Sequence, residues 1–329
     1  MKKIMSIFLV LVLFLFTSCS NAKDVTVATP TDVDDTLMVV DDTTTDELKL
    51  LIKAAETEEA IQYILARYNS VEDQLLLAKS KKYIAQKVLI NSDILSPEAF
   101  VQLCKDNEFN EENSTIYDYF NEAVKRLHFT EEQQKKVIKE HYIYQKMLLE
   151  NQKLTPETYV FLAENNKLNY QNPYIELLYK NEFERLDFST EQRKRLIDVQ
   201  EYLFQEFLIK SDELTGEELV MLCQENKFNM KNTSVENWFV EAIERTDLTS
   251  RQQVAIAHIN EYVYHKAIIL KTKISYDALL CLARNSKFNL ESPEVRQWFI
   301  SAVERVNPTE TQKNTLMLSE NIIIQEILV

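Results

Sequence analysis

The chain has a single glycine, Gly216, in 329 residues, and only six prolines. An ordinary glycine share is roughly 7%. Strand-rich sandwiches and barrels need glycine in their tight turns, and Rossmann and P-loop phosphate cradles are made of it. The shortage excludes both classes. Positive charge is short as well: 37 Lys and Arg stand against 52 Asp and Glu, a formal charge of −15. That balance excludes a nucleic-acid partner, because phosphate neutralisation needs clustered Lys and Arg. Of four cysteines, no two form a Cys-x-x-Cys, so a zinc site has no support. No His-Glu-x-x-His and no Gly-x-Ser-x-Gly occurs. His128, His141, His258 and His265 are scattered. No cofactor and no metal are expected. What is present is 45% hydrophobic and 27% charged residues, enough for a sizeable core. The composition favours an all-helical protein.

The first residues read as an address. Met1-Lys2-Lys3 is a positive leader, Ile4 to Phe16 is almost wholly apolar, and Thr17-Ser18-Cys19 follows. The apolar stretch is short for a transmembrane span and fits a secretory signal. Leu15-Phe16-Thr17-Ser18-Cys19 resembles the lipobox of bacterial lipoproteins, in which small residues precede a Cys that receives diacylglycerol. The resemblance covers the signal only. It implies a signal over 1–18, an acylated Cys19 as mature N-terminus, export, and a membrane partner through the acyl chains. Ser20, rather than Asp, follows Cys19, which makes the outer membrane the preferred location. Residues 19–44 carry the Cys and then a Thr/Asp-rich stretch without helical period, expected to be a disordered tether. Asp32-Val33-Asp34-Asp35 starts like a calcium loop but lacks the third ligand and the turn glycine, so it reads as solvated charge.

The remainder repeats itself. Leu95-Ser96-Pro97-Glu98 returns at Leu154-Thr155-Pro156-Glu157, Leu214-Thr215-Gly216-Glu217 and Ile274-Ser275-Tyr276-Asp277, at spacings of 59, 60 and 60. Asn107-Glu108-Phe109-Asn110 returns in the same register. The expected units are a partial first repeat over 45–94, repeats over 95–153, 154–213 and 214–273, and a terminal repeat over 274–329. Each reads as three helices. The first begins at Ser96 and its equivalents. The second carries the stripe Ile116, Tyr119, Phe120, Ala123, Val124, Leu127 at helical spacing. The third, about twenty residues long, opens with caps such as Thr130 with Gln133 and buries Leu196, Val199, Leu203 and Phe207. Stacked units of this kind bury one continuous core, so the expected fold is an α-solenoid or compact helical array.

Four markers recur. Gln74, Gln133, Gln192, Gln252 and Gln312 mostly sit three after a Ser or Thr and read as capping partners. Arg67, Arg126, Arg185, Arg245 and Arg305 close the second helix, where a cation suits the dipole; they are expected to stack copies, with an anion groove as the alternative. Tyr83, Tyr142, Tyr202 and Tyr262 recur in the frame Tyr-x-x-Gln, with His265 replacing Gln in the last. They read as a buried spine or as a ligand-facing ladder. Trp238 and Trp298 fall on the second-helix stripe and read as core. Cys104 and Cys223 hold one repeat position and read as small buried residues too far apart to bridge; Cys223 with Cys281, in adjacent copies but offset by two positions, stays open as a pair, and three thiols cannot all pair internally. The apolar end Ile322-Ile323-Ile324-Gln325-Glu326-Ile327-Leu328-Val329 is expected to dock on its own copy, with self-association as the alternative.

Without a catalytic constellation, the functional expectation is a lipid-anchored envelope protein acting as a non-catalytic interaction module for a protein or peptide. The Tyr row and Arg126, Arg185, Arg245 and Arg305 are its candidate contacts. Two alternatives stand beside it: an envelope enzyme acting on glycan through an Asp/Glu pair, and a surface adhesin or antigen.

Overall fold

The computed structural model describes residues 42–110, 112–319 and 321–329. The signal, Cys19, the acidic Asp32–Asp35 stretch and most of the tether lie outside the described residues. The described residues form twenty α-helices and no strand. The sixty-residue period holds, but each copy has four helices where three were expected. The first copy contains Asp42–Ala54, Glu58–Arg67, Val71–Lys79 and Tyr83–Ile90. The second contains Pro97–Asp106, Ser114–Arg126, Glu131–Lys139 and Tyr142–Glu150. The third contains Pro156–Glu164, Pro173–Arg185, Thr190–Asp198 and Tyr202–Lys210. The fourth contains Gly216–Glu225, Thr233–Arg245, Ser250–His258 and Tyr262–Leu270. The last contains Tyr276–Asn285, Pro293–Val306, Glu310–Met317 and Ile322–Leu328. The segment expected to hold a partial copy thus opens with a helix of its own, Asp42–Ala54.

The expected long third helix is two helices because its halves belong to different layers. First and third helices alternate in one layer from Val71–Lys79 to Tyr276–Asn285. Second and fourth helices alternate in the other from Glu58–Arg67 to Ile322–Leu328. A straight helix cannot join both. The break falls at Ser80-Lys81-Lys82, Glu140-His141, Val199-Gln200-Glu201 and Ile259-Asn260-Glu261. Lys81 and Gln200 take left-handed φ values of 50° and 58°, a conformation usually left to glycine. No side chain caps the helices that start after Lys82, His141, Glu201 or Glu261, so the local sequence carries no start signal.

Asparagine does the turn work that glycine does elsewhere. The Oδ1 atoms of Asn110, Asn169, Asn229 and Asn289 accept the backbone N–H two residues on, at 2.9–3.2 Å. Asn113, Asn172 and Asn232 cap the second helices. Between the layers lies the core. Phe100, Phe120 and Tyr144 of the second copy are fully or almost fully buried, as are Tyr159, Tyr179 and Phe204 of the third. Side chains of this size contribute about 1.5–3 kcal/mol each when buried. Tyr144 and Tyr264 satisfy their hydroxyls by accepting from Asn107 and Asn226 Nδ2, at 2.9 and 2.6 Å.

Adjacent copies are held by buried side-chain amides. From the second copy on, each first helix is gripped at both ends by the copy before it. At the start of Pro97–Asp106, Gln74 donates to the Ile94 carbonyl (2.9 Å) and accepts from the Ser96 N–H (2.7 Å). At its end, Gln86 donates to the Asp106 carbonyl (3.0 Å) and accepts from the Glu108 N–H (2.8 Å). The next joint repeats this with Gln134 on Lys153 and Thr158, and with Gln145 on Asn165 and Lys167. Gln86 and Gln145 also donate to the Ala78 and Ile138 carbonyls, freed where the third helix stops. Gln74 is therefore not a member of the capping row. Its copy is capped by Ser70 with Asp73, while Gln133, Gln192, Gln252 and Gln312 complete capping boxes as expected.

The C-terminal helix Ile322–Leu328 packs on its own copy, against Pro293–Val306 and Glu310–Met317. Ile323 and Ile324 are buried, and Asn321 donates to the Ala283 carbonyl at 3.2 Å. Cys104, Cys223 and Cys281 are buried, and none of them is in a disulfide among the described residues. Burial pushes the Cys223 thiol well above its ordinary range.

Removing one amide tests this account. Gln145→Ala strands two carbonyls and an N–H inside the joint and should cost about 2–3 kcal/mol. Tyr142→Ala, three residues earlier but exposed, should cost at most about 1 kcal/mol. Urea unfolding of both variants checks the contrast.

Candidate functional site

The layer of second and fourth helices carries the candidate site. Tyr83, Tyr142, Tyr202 and Tyr262 are each the first residue of a fourth helix. They are 38–46% exposed, so they form an outward row and not a buried spine. Tyr144 and Tyr264, two residues further along, are instead buried with their hydroxyls bonded. Three members of the row rest edge-on against the ring of the Phe-Asn turn after the first helix: Tyr83 on Phe109, Tyr202 on Phe228 and Tyr262 on Phe288, with centroids 5.0–5.8 Å apart. Leu168 stands at that turn in the third copy, and Tyr142 lies instead beside His141 at 4.4 Å.

One turn along the same helices come Lys87, Lys146, Glu206 and Lys266. Second helices supply the partners of Lys87 and Lys266, whereas Lys146 and Glu206 pair within their own helices with Glu150 and Lys210. Glu58 pairs with Lys87 and Glu236 with Lys266, both at 2.6 Å. The last copy pairs Arg296 with Glu326, with the two charges exchanged between the helices. Lys146 lies 4.8 Å from the Tyr117 ring and 5.6 Å from the Tyr174 ring, and Lys210 lies 3.9 Å from the Trp238 ring. Trp298 is buried as expected, and Trp238 is half-buried under Lys210.

These surroundings act on the charge states of Tyr202, Tyr174, Lys87 and Lys266. Burial and the nearby Glu206 carboxylate push the Tyr202 phenol up to about 12. A hydrogen bond to Glu150 does the same for Tyr174, also to about 12. Both phenols are neutral hydroxyls at physiological pH. Hydrogen bonds to Glu58 and Glu236 raise Lys87 and Lys266, which stay cationic. The face therefore presents flat amphipathic rings between paired charges. Such a surface can dock another chain by ring burial and hydroxyl hydrogen bonds.

The Arg row does not join it. Arg126 donates to the Ile90 and Ser92 carbonyls at 2.6 and 2.9 Å. Arg185 reaches the Leu154 carbonyl at 2.7 Å and pairs with buried Glu182. Arg245 reaches Ile209 and Ser211, and Arg305 reaches Ile269. Arg126, Arg245 and Arg305 thus cap the C-terminal end of the preceding fourth helix, while Arg185 holds the linker after it. The Tyr row sits at the opposite end, and nine helical residues put about 12 Å between them. Arg67 stacks beside Tyr68, its guanidinium carbon 5.5 Å from the ring centre.

Two buried features escape sequence reasoning. Arg193 replaces the joint glutamine of the third copy and pairs with buried Glu218 at 3.0 Å. Their shared register with Gln134 and Thr158 is the signal that could have found them. His265 replaces the second joint glutamine and accepts the Lys287 N–H on Nδ1 at 3.1 Å. Among the described residues no group of three or more His, Cys, Asp or Glu could hold a metal ion. No described helix is long and apolar enough to cross a membrane.

No protein-family model, no curated protein and no solved structure matches the chain.

His265 gives this joint a pH dependence that a glutamine joint lacks. Burial lowers its pKa from 6.5, with Lys287 adding to the depression and Glu261 opposing it. A depressed folded value means that the unfolded chain takes the proton first. Joint stability is then intact above pH 6.5 and falls as pH drops below it. His265→Gln should flatten the wild-type loss of stability on acidification, read by urea midpoints across a pH series.

Proposed function

We propose that the protein is a lipid-anchored, non-catalytic interaction module of a bacterial envelope, whose tyrosine row docks a protein or peptide partner. The observation that carries this reading is the repeated half-exposure of Tyr83, Tyr142, Tyr202 and Tyr262 at one register. The joints do not need these hydroxyls, since Gln74, Gln86, Gln134 and Gln145 make the inter-copy bonds. Four large rings are nevertheless kept at the surface, where Tyr is a favoured anchor for a partner chain. Successive members lie two helix positions apart, roughly 16–20 Å by ordinary helix spacing, which suits an extended or multivalent partner.

The anchor belongs to the same reading. Cys19 in its lipobox-like setting supplies the acyl attachment, and Ser20 favours the outer membrane. The described carboxylates with no exposure, Glu182 and Glu218, are tied to Arg185 and Arg193. That arrangement favours a structural over a catalytic use for them.

A photo-crosslinking amino acid placed at Tyr142 or Tyr202 should give one discrete adduct in intact envelopes. The same group at Glu132, on the third-helix layer, should give none. Equal adducts from all three positions, or none from any, would remove the docking reading. The anchor is checked separately: Cys19→Ser should abolish incorporation of a palmitate analogue.

A further inference from the structure

A basic hollow of about 660 Å3 lies in the first copy, between Asp42–Ala54, Val71–Lys79 and the linker into Tyr83–Ile90. Lys49, Lys53, Lys79, Lys81 and Lys82 line it, and no carboxylate does. This is an unusual local balance in a chain of charge −15.

Two of these lysines have work inside the fold. Lys82 Nζ donates to the Ile52 and Lys53 carbonyls at 3.0 Å, and also to Ala55, so it caps the first helix. Lys49 pairs with Asp46 at 3.1 Å. Lys53, Lys79 and Lys81 are exposed and make no ion pair among the described residues. The chain supplies its own comparison for them. Where the first copy has Lys79-Ser80-Lys81-Lys82, the third has Asp198-Val199-Gln200-Glu201 and the fourth has His258-Ile259-Asn260-Glu261. The same break between third and fourth helix is therefore built with acidic or neutral side chains in those copies. The second copy keeps one lysine there, in Lys139-Glu140-His141, so the fold does not require the positive charge, and three lysines stand at the break only in the first copy.

We infer that this hollow seats the phosphate headgroups of an anionic phospholipid surface. Charge complementarity selects the ligand: Lys53, Lys79 and Lys81 bring three ammonium groups without ion pairs to one concavity, and their field is felt over a Debye length of about 8–10 Å. Position in the chain selects the membrane. The inference rests on the lipid anchor proposed above, because Lys49 lies in the first helix after the tether that starts at Cys19, whereas the later copies begin only at Pro97, Pro156, Gly216 and Tyr276. The hollow orients the first copy on the membrane and leaves the tyrosine row of the later copies to a partner.

Lysine footprinting of the full chain tests this. With vesicles of phosphatidylglycerol mixed into phosphatidylcholine, acetylation of Lys53, Lys79 and Lys81 should fall several-fold, and added salt should restore it. With phosphatidylcholine alone it should not fall, and the exposed Lys231 and Lys287 of later copies should stay reactive throughout. The triple variant K53E/K79E/K81E should lose at least tenfold in co-sedimentation with the anionic vesicles, while K231E/K287E should lose none. Equal protection on both vesicle types, or protection spread over Lys231 and Lys287, would overturn the proposal. So would protection by soluble polyphosphate without protection by vesicles, which would assign the hollow to free phosphate. The Cys19→Ser chain separates the two readings: protection that persists in it on anionic vesicles supports the hollow whatever the fate of the anchor, and protection lost in it overturns the hollow.

Discussion

A buried glutamine amide is the interaction on which the array depends. Its two-sided chemistry suits the place: one group donates to a helix-terminal carbonyl and accepts an N–H two residues beyond it. Gln86 does this at Asp106 and Glu108, and Gln145 does it at Asn165 and Lys167. A helix end pointing into another copy leaves backbone groups unpaired, and an unpaired buried group costs about 1–3 kcal/mol. The amides meet that need without bringing charge into the core. In the second and third copies they also tie the first helix to the preceding copy at both ends. Nearest-neighbour coupling of this kind is what stabilises a repeat array whose single units have too little core of their own.

The variation among joints follows from the same requirement. Arg193 with Glu218 keeps donor and acceptor at the cost of desolvating two charges. His265 keeps the acceptor only while its Nδ1 is unprotonated, which introduces acid sensitivity at one joint. On the outer faces a parallel tolerance holds. Glu58 with Lys87 becomes Glu236 with Lys266, and then Arg296 with Glu326 in reverse order. Complementarity is kept while its sign changes, as expected for half-exposed pairs that tune packing more than they drive it. The exposed Tyr row and the lysines of the first copy stand apart from this logic, since the joints are complete without them.

The all-helical class, the sixty-residue period, the helix caps and the second-helix stripe were legible in the residues, because each is local. Thr130 with Gln133 states a helix start by itself, and Ile116, Phe120, Ala123 and Val124 state a buried face. The exposure of the tyrosines was not legible. A continuous helix through residues 131–150 puts Tyr142 in mid-helix on an apolar stripe, where a ring belongs in the core. The break at Glu140-His141 makes Tyr142 a helix end and exposes it. Nothing near the break resembles an ordinary cap, so the same residues fit one helix or two. Gln74 shows the related difficulty of register. It stands to Gln133 in the chain as Arg67 stands to Arg126, yet its structural equivalent is Gln134.

The sequence by itself determined the modules: which stretches are helical, where most of them begin, and that sixty residues make one unit. Helix propensity, capping and apolar spacing act within a few residues of one another, so one strand of text contains them. Only the tertiary structure decided that the long third helix divides, that glutamines and not tyrosines bridge the copies, and that five lysines share one hollow. Those outcomes depend on groups that meet from well-separated parts of the chain, as Gln74 meets Ser96 and Arg126 meets Ile90. They depend equally on which helix ends would otherwise be left without a partner.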